Sequence, residues 1–267
     1  MVPLHPGQIL VIIPPSDLRF LMTPEPSSEN AAPPLGEVGR ITGVFLDPKK
    51  AFADIVARPS WIVPVILLIL IGLAFTYTYS TRIGWDRYVH QILDNNPRVQ
   101  NLDPAARNQA FEMQRKIAPY TFTGGVIIGV PLMILIAAAV LLLMTKIGGA
   151  SLKLKQLFAI VAYAMLTGVV SGILAIVVMF LKNPDDFNML NPLAFNLAAF
   201  LEPPPTTGKF VYALLKSFDL FTFWTIALEA VGISAAARKI PFSKALILVL
   251  APWLIWTFVS SGLAGLF

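Results

Sequence analysis

Cysteine is absent from this chain, and histidine is limited to His5 and His90. Disulfides, thiolate metal sites and cysteine nucleophiles are therefore excluded, and a histidine-based metal centre has too few ligands. Charge is scarce: 13% of residues are Asp, Glu, Lys or Arg, against roughly 25% in a soluble domain. No phosphate-binding loop, HExxH motif or nucleophile elbow occurs. Gly124-Gly125 and Gly148-Gly149 lack the lysine of a phosphate cradle, and Asp185 and Asp186 read as a solvated loop rather than a cation site. No cofactor or metal is implied, and an enzyme is the least supported class.

Apolar length is abundant. Between Arg58 and Arg82 lie 23 uncharged residues, between Lys116 and Lys146 29, between Lys155 and Lys182 26, and 23 follow Lys244. A further run from Phe210 to Ala237 is equally apolar but holds Lys216, Asp219 and Glu229. A membrane span needs about 20 apolar residues. A soluble fold could not hide a chain that is 56% hydrophobic, so lipid must be its solvent. Backbone groups in lipid must be satisfied internally, and these runs are too continuous for barrel strands of about 10 alternating residues. The expected fold class is all-α: a polytopic membrane helical bundle. Five transmembrane helices are expected at about 61–80, 120–145, 156–181, 210–237 and 245–266, with short amphipathic helices beside them. Pro131 should kink the second.

Residues 1–39 read as a Pro/Ser-rich disordered tail. Pro14 and Pro15 stop the short run Ile9–Ile13, no basic segment precedes it, and a signal peptide is not indicated. Met22 is an alternative start, which would leave residues 1–21 as an upstream artefact. Asp47-Pro48 begins a helix that Pro59 ends, because Asp caps well and Pro suits the first helical position. Phe52, Ile55 and Val56 share a face, so segment 40–59 is expected to lie as an interfacial amphipathic leader on the membrane. Trp85, Tyr88, Val89, Ile92 and Leu93 predict another amphipathic helix over 84–94, and Asp103-Pro104 starts a third; the pair reads either as a small cap on one membrane face or as an apolar stripe resting on lipid. The proline-rich connection 182–208 reads as a loop or re-entrant stretch.

Lys and Arg counts set topology. One side carries Arg40, Lys49, Lys50, Arg58, Lys146, Lys153, Lys155, Arg238, Lys239 and Lys244; the other carries Arg82, Arg87, Arg98, Arg107, Arg115, Lys116, Lys182 and Lys209. Ten against eight places the N-terminus inside and the C-terminus outside, with anionic headgroups as natural contacts of the basic face.

Ionisable residues inside spans are functional candidates by default. Lys216 and Asp219 are three apart, the spacing of a helical ion pair. Asp219, Thr222, Thr225 and Glu229 form a polar stripe, and Tyr163, Thr167 and Ser171 form a counterpart in the preceding span. The two stripes are expected to face each other, as interhelical hydrogen bonding or as a proton or ion relay. Gly125/Gly129 and Gly168/Gly172 are GxxxG pairs, which favour close packing between spans or a dimer face.

Three motifs occur in a familiar order. Val44-Phe45-Leu46-Asp47-Pro48 precedes the first span. Gly148-Gly149-Ala150-Ser151-Leu152-Lys153-Leu154-Lys155-Gln156-Leu157-Phe158 leads to Ala162-Tyr163, and Phe218-Asp219-Leu220-Phe221 comes with Trp224. With five spans, residues 40–265 resemble bacterial members of the YIP (Ypt-interacting protein) family. The DLYGP-like and GYG-like signatures of the eukaryotic branch are not present. The resemblance implies fold and topology, a bacterial cytoplasmic membrane location, and Asp219 ahead of Glu229 as the residue to test. The function expected is a non-enzymatic membrane protein that organises lipids or binds partner proteins; the alternative is a small transporter or permease component working through the polar stripes. The bilayer is the expected partner, nucleic acid is not, and an oligomer is open.

Overall fold

Asp47 and Asp103 start helices as their Asp-Pro steps predict. Asp47 accepts a bond from the Lys50 amide, and Asp103 accepts from Ala105 and Ala106 at 2.9 and 3.0 Å. The computed structural model describes residues 34–266 apart from 94, 95, 205 and 238. The tail through residue 33, the alternative start at Met22 and Arg238 lie outside the described residues. The chain divides into units 1–34 and 35–267, and the second carries the fold.

Among the described residues the structure is helical and holds no β-sheet, a polytopic all-α bundle. Helices α1 (Glu37–Leu46) and α2 (Pro48–Ala57) form a hairpin. Helix α1 thus begins inside the stretch that reads as tail. Helix α3 (Ile62–Arg82) is the first span, and α4 (Trp85–Leu93) and the single turn α5 (Pro97–Gln100) follow. Helix α6 (Pro104–Gly124), a π-helical turn (Gly125–Gly129) and α7 (Val130–Ile147) run on as one helical rod of 44 residues, polar at its start and apolar from about residue 117. Helices α8 (Leu154–Ala164) and α9 (Thr167–Leu181) make the third span, α10 (Lys209–Ser217) and α11 (Leu220–Ala236) follow, and α12 (Phe242–Leu266) ends the bundle. Four segments are long and apolar enough to cross a membrane, and α11 is a shorter apolar helix.

Several expectations are corrected. The apolar face of α2 does not rest on lipid: Phe52 and Ile55 are fully buried, with α2 packed on α11 and α8. Burial in protein satisfies that face as fully as lipid would, at roughly 1.5–3 kcal/mol per large side chain. The stripe of α4 is also covered by protein: Val89 is buried, and Trp85 packs on Tyr79 and Phe122 with ring centroids 5.3 and 5.1 Å away. The helix from Pro104 and the second span are not separate elements. Pro131 is absorbed by the π-helical turn just before it, which rearranges the carbonyls that the missing N–H leaves free.

The glycine pairs are unequal. Gly125 and Gly129 sit in the π-helical turn with open space around them, whereas a Cβ on Gly172 would meet Ile71 of α3 at 2.7 Å. The third span bends at Met165–Leu166, where Leu166 and Gly168 donate three residues back, to Tyr163 and Met165. That tight turn changes the helical phase, so a four-residue spacing no longer marks one face across it.

The three sequence motifs converge on the α1–α2 hairpin. Phe45 meets Trp224 edge-on with centroids 5.5 Å apart, and the Gln156 side chain donates to the Val56 carbonyl at 3.3 Å. Gly232 lies so close that a Cβ there would come within 2.5 Å of Ile160 and 3.1 Å of Phe52. A Phe52→Ala variant should lose about 3–5 kcal/mol of stability, read as a lowered melting temperature in detergent together with faster proteolysis between Gly36 and Ser60. An unchanged melting temperature would show that α2 is not seated in the bundle.

Candidate functional site

The run from Phe210 to Ala237 is two helices, not one span. Helix α10 ends at Ser217, Phe218 leaves helical geometry, and Asp219 (φ −110°, ψ 143°) caps α11. Its Oδ1 accepts from the Phe221 and Thr222 amides at 2.9 and 3.2 Å. A break within an apolar segment exposes backbone groups, which are costly in lipid unless protein satisfies them. The connection after the third span does so. Leu197 donates to the Phe218 carbonyl at 3.3 Å and Leu220 to the Phe195 carbonyl at 3.0 Å, making an antiparallel bridge between Asn196 and Asp219.

A pocket of about 330 Å³ opens beside this bridge. Ser171 of α9, Asn191 and Asn196 of the connection, Lys216 and Asp219 line it, against the rings of Phe75 and Phe221. The expected Lys216–Asp219 ion pair does not form among the described residues, because the helix that would align them ends between them; both instead face the same pocket. Asn191 and Asn196 were not singled out by sequence, since nothing local marks a loop asparagine that pairs with a residue 23 positions on. The sign available was Asp219 itself: an Asp before an apolar run is an N-cap as readily as a buried ion.

The other stripe residues separate. Thr167 and Thr225 share a hydrogen bond at 2.5 Å that ties α9 to α11. Ser171 turns to its own helix, bonding the Gly168 carbonyl at 3.1 Å. Thr222 contributes its amide to the Asp219 cap. Glu229 is buried on α11, and no ion pair or hydrogen bond among the described residues reaches its carboxyl. It stands ten residues from Asp219, about 15 Å along the axis, with Thr222 and Thr225 between them.

Tyr163 does not face the fourth-span stripe. Beyond the bend in the third span it donates to Glu37 Oε2 and lies 3.3 Å from Ser60. It belongs to a polar cluster at the other end of the bundle. Arg40, 5% exposed, donates to Asp54 at 2.8 Å and Ser60 at 2.6 Å, and lies 3.5 Å from Glu37. Ser60 donates to Glu37 at 2.8 Å, the Leu35 amide donates to Asp54 at 3.2 Å, and Arg58 pairs with Asp54. Two acids and two bases balance: Arg40 and Asp54 lie inside, and Glu37 and Arg58 stand at the surface. Burial pushes the Asp54 carboxyl up, but the bonds from Arg40, the Leu35 amide and Arg58 outweigh it and hold Asp54 below its ordinary value. This cluster clamps the α1–α2 hairpin to the start of the first span.

Compared with known proteins, the chain matches the family model described as the Yip1 domain over residues 42–263. No curated protein and no solved structure matches.

Because the folded Asp54 titrates below its unfolded value, its contribution to stability is present above roughly pH 4 and is lost as pH falls through the folded value. Acidification should therefore release the hairpin, seen as proteolysis between 36 and 60, and Asp54→Asn should remove that step. Arg40→Ala, which removes the buried guanidinium but leaves Asp54 its bonds from Arg58 and the Leu35 amide, should cost about 1–3 kcal/mol; a loss well under about 1 kcal/mol, the scale of an exposed pair, would show that the cluster is solvated.

Proposed function

The chain belongs to the Yip1 domain family, and from that premise we propose that it is a non-enzymatic integral membrane protein that organises the bilayer at its inner face, or holds partner proteins there. The carrying observation is the elbow between α1 and α2. The polar cluster and the buried Phe52 and Ile55 hold this hairpin against the bundle, while Leu46 at its tip is 85% exposed beside exposed Lys49 and Lys50. An apolar tip flanked by bases suits the boundary of an anionic leaflet, where each base near the surface contributes about 1 kcal/mol.

In this reading α11 is the fourth of five spans. It has 17 residues, the lower bound of what crosses a bilayer, and α10 extends it beyond the break. The N-terminus is inside a bacterial cytoplasmic membrane and the C-terminus outside. The motif order and the excess of bases at the ends of α2, α7, α8 and α12 support this.

A transporter is the second reading, favoured by the pocket that reaches Lys216 and Asp219. Beyond the pocket the path along α11 is occupied by the Thr167–Thr225 bond and by Gly232 in contact with Ile160 and Phe52. This close packing favours the organising role over a through route.

The absence of native cysteine makes a labelling experiment direct. In intact cells an impermeant maleimide should modify Asn183→Cys and spare Ser151→Cys; the reverse pattern would invert the topology. A photoreactive residue at Leu46 should give lipid or protein adducts that Lys49→Glu with Lys50→Glu removes. Absence of any adduct, together with ion flux in proteoliposomes that Asp219→Asn abolishes, would replace this reading with transport.

A further inference from the structure

We propose that the pocket at the helix break is a binding site for a compact zwitterion that carries a primary ammonium and a phosphate, the chemistry of a phosphoethanolamine headgroup. Asn196 is 6% exposed; its Nδ2 donates to Asn191 Oδ1 at 2.7 Å and to the Leu193 carbonyl at 3.2 Å. Those two acceptors fix the orientation of the amide and leave its buried Oδ1 without a hydrogen bond, in a residue that lines the pocket. A buried acceptor left unmet costs about 1–3 kcal/mol, so a small shift of the side chain that brings Oδ1 to a donor in the pocket gains at this position.

The charges beside it specify more. Asp219 uses Oδ1 for the α11 cap, and no bond among the described residues occupies its other oxygen. Lys216 lines the same pocket, and no ion pair among the described residues engages it. A ligand that satisfies all three residues must offer N–H donors to Asn196 and Asp219 and an oxyanion to Lys216. A single charge of either sign would leave one side chain facing its own kind.

Size and depth narrow the class. About 330 Å³ is at the small end of ligand pockets, roughly 300–1,000 Å³. That volume admits a headgroup and excludes a peptide segment. Phe75 lies seven residues before Arg82, about 10 Å from that end of α3, so the pocket sits just inside the bilayer boundary. Phe75 and Phe221 line it with the polar groups, and an acyl chain could leave along them. The same ammonium–phosphate pair is carried by a bilayer aminophospholipid and by its soluble, deacylated form, glycerophosphoethanolamine.

The site is independent of the inner-face elbow: Asp219 and Gly232 are separated by about 20 Å along α11, and Gly232 marks where α2 docks. The outcome of this test therefore leaves the Leu46 result untouched.

The experiment measures binding of tail-labelled phosphatidylethanolamine, phosphatidylcholine and phosphatidylglycerol to the full chain in detergent. Phosphatidylcholine keeps the positive charge but has no N–H, and phosphatidylglycerol has no ammonium. Phosphatidylethanolamine should bind about tenfold more tightly than either, the scale of one charge-assisted hydrogen bond. Asp219→Asn should erase most of that preference, whereas Lys216→Gln should weaken all three lipids alike, since all three carry the phosphate; Asn keeps the helix cap, and a melting temperature near that of the wild type confirms folding. If soluble glycerophosphoethanolamine displaces the labelled lipid at an affinity like its own, the site takes the free headgroup. If it displaces only at far higher concentration, the site takes the lipid. Equal binding of the three lipids, a preference that survives Asp219→Asn, or binding that Lys216→Gln leaves unchanged overturns the proposal.

Discussion

In a bilayer, no backbone N–H or C=O can be left to solvent. The fourth apolar segment meets this constraint in an unusual way. Its helix stops at Ser217 and restarts after Asp219, and the groups freed there are taken up by Phe195 and Leu197 from the preceding connection. The rest of the distal half follows. The connection is drawn down onto the bundle, Asn196 is buried, and a pocket with a base and an acid is left between α3, α9 and the break. Non-helical backbone at this depth is tolerated where protein covers it or where it lines a cavity, and both conditions hold at Asp219.

The opposite end is organised by charge rather than by backbone. Arg40 is almost wholly buried and reaches Asp54, Ser60 and Glu37, with Tyr163 closing the set. A buried ion pair does little for net stability compared with apolar packing, but it fixes geometry when every member is bonded. Here it fixes the direction of the α1–α2 hairpin, and Phe52 and Ile55 supply the apolar energy beneath it. The molecule thus has a clamped, basic end and an end with a polar pocket, joined by close packing around Thr167, Thr225 and Gly232.

Much of this was legible in the amino-acid sequence. Long uncharged runs dictate helical spans, Asp-Pro steps start helices, and three motifs mark the family. What could not be read depends on partners distant along the chain. The leader and the stripe of α4 have the amphipathic pattern of helices on lipid, and nothing local says that protein will cover them. Tyr163, Thr167 and Ser171 keep helical spacing, yet a tight turn at Met165–Leu166 sends Tyr163 to Glu37 and leaves Thr167 with Thr225. Lys216 and Asp219 have the spacing of an ion pair, but Asp219 is worth more as a helix cap, and that choice breaks the segment. Asn191, Asn196, Glu37 and Arg40 became candidates only once the chain was folded.

The bridge between Asn196 and Asp219 is the direct test of this account. The bonds that flank it, from Leu197 to Phe218 and from Leu220 to Phe195, define a non-hydrogen-bonded antiparallel pair, whose Cα atoms approach to about 4.5 Å. A disulfide accepts that separation. In this cysteine-free chain, Asn196→Cys combined with Asp219→Cys should oxidise to an intramolecular disulfide in the membrane and resist maleimide until reduced, while each single variant remains a free thiol. Should the double variant stay fully reactive under oxidant, the segment would be one continuous helix, and the pocket built on its break would not exist.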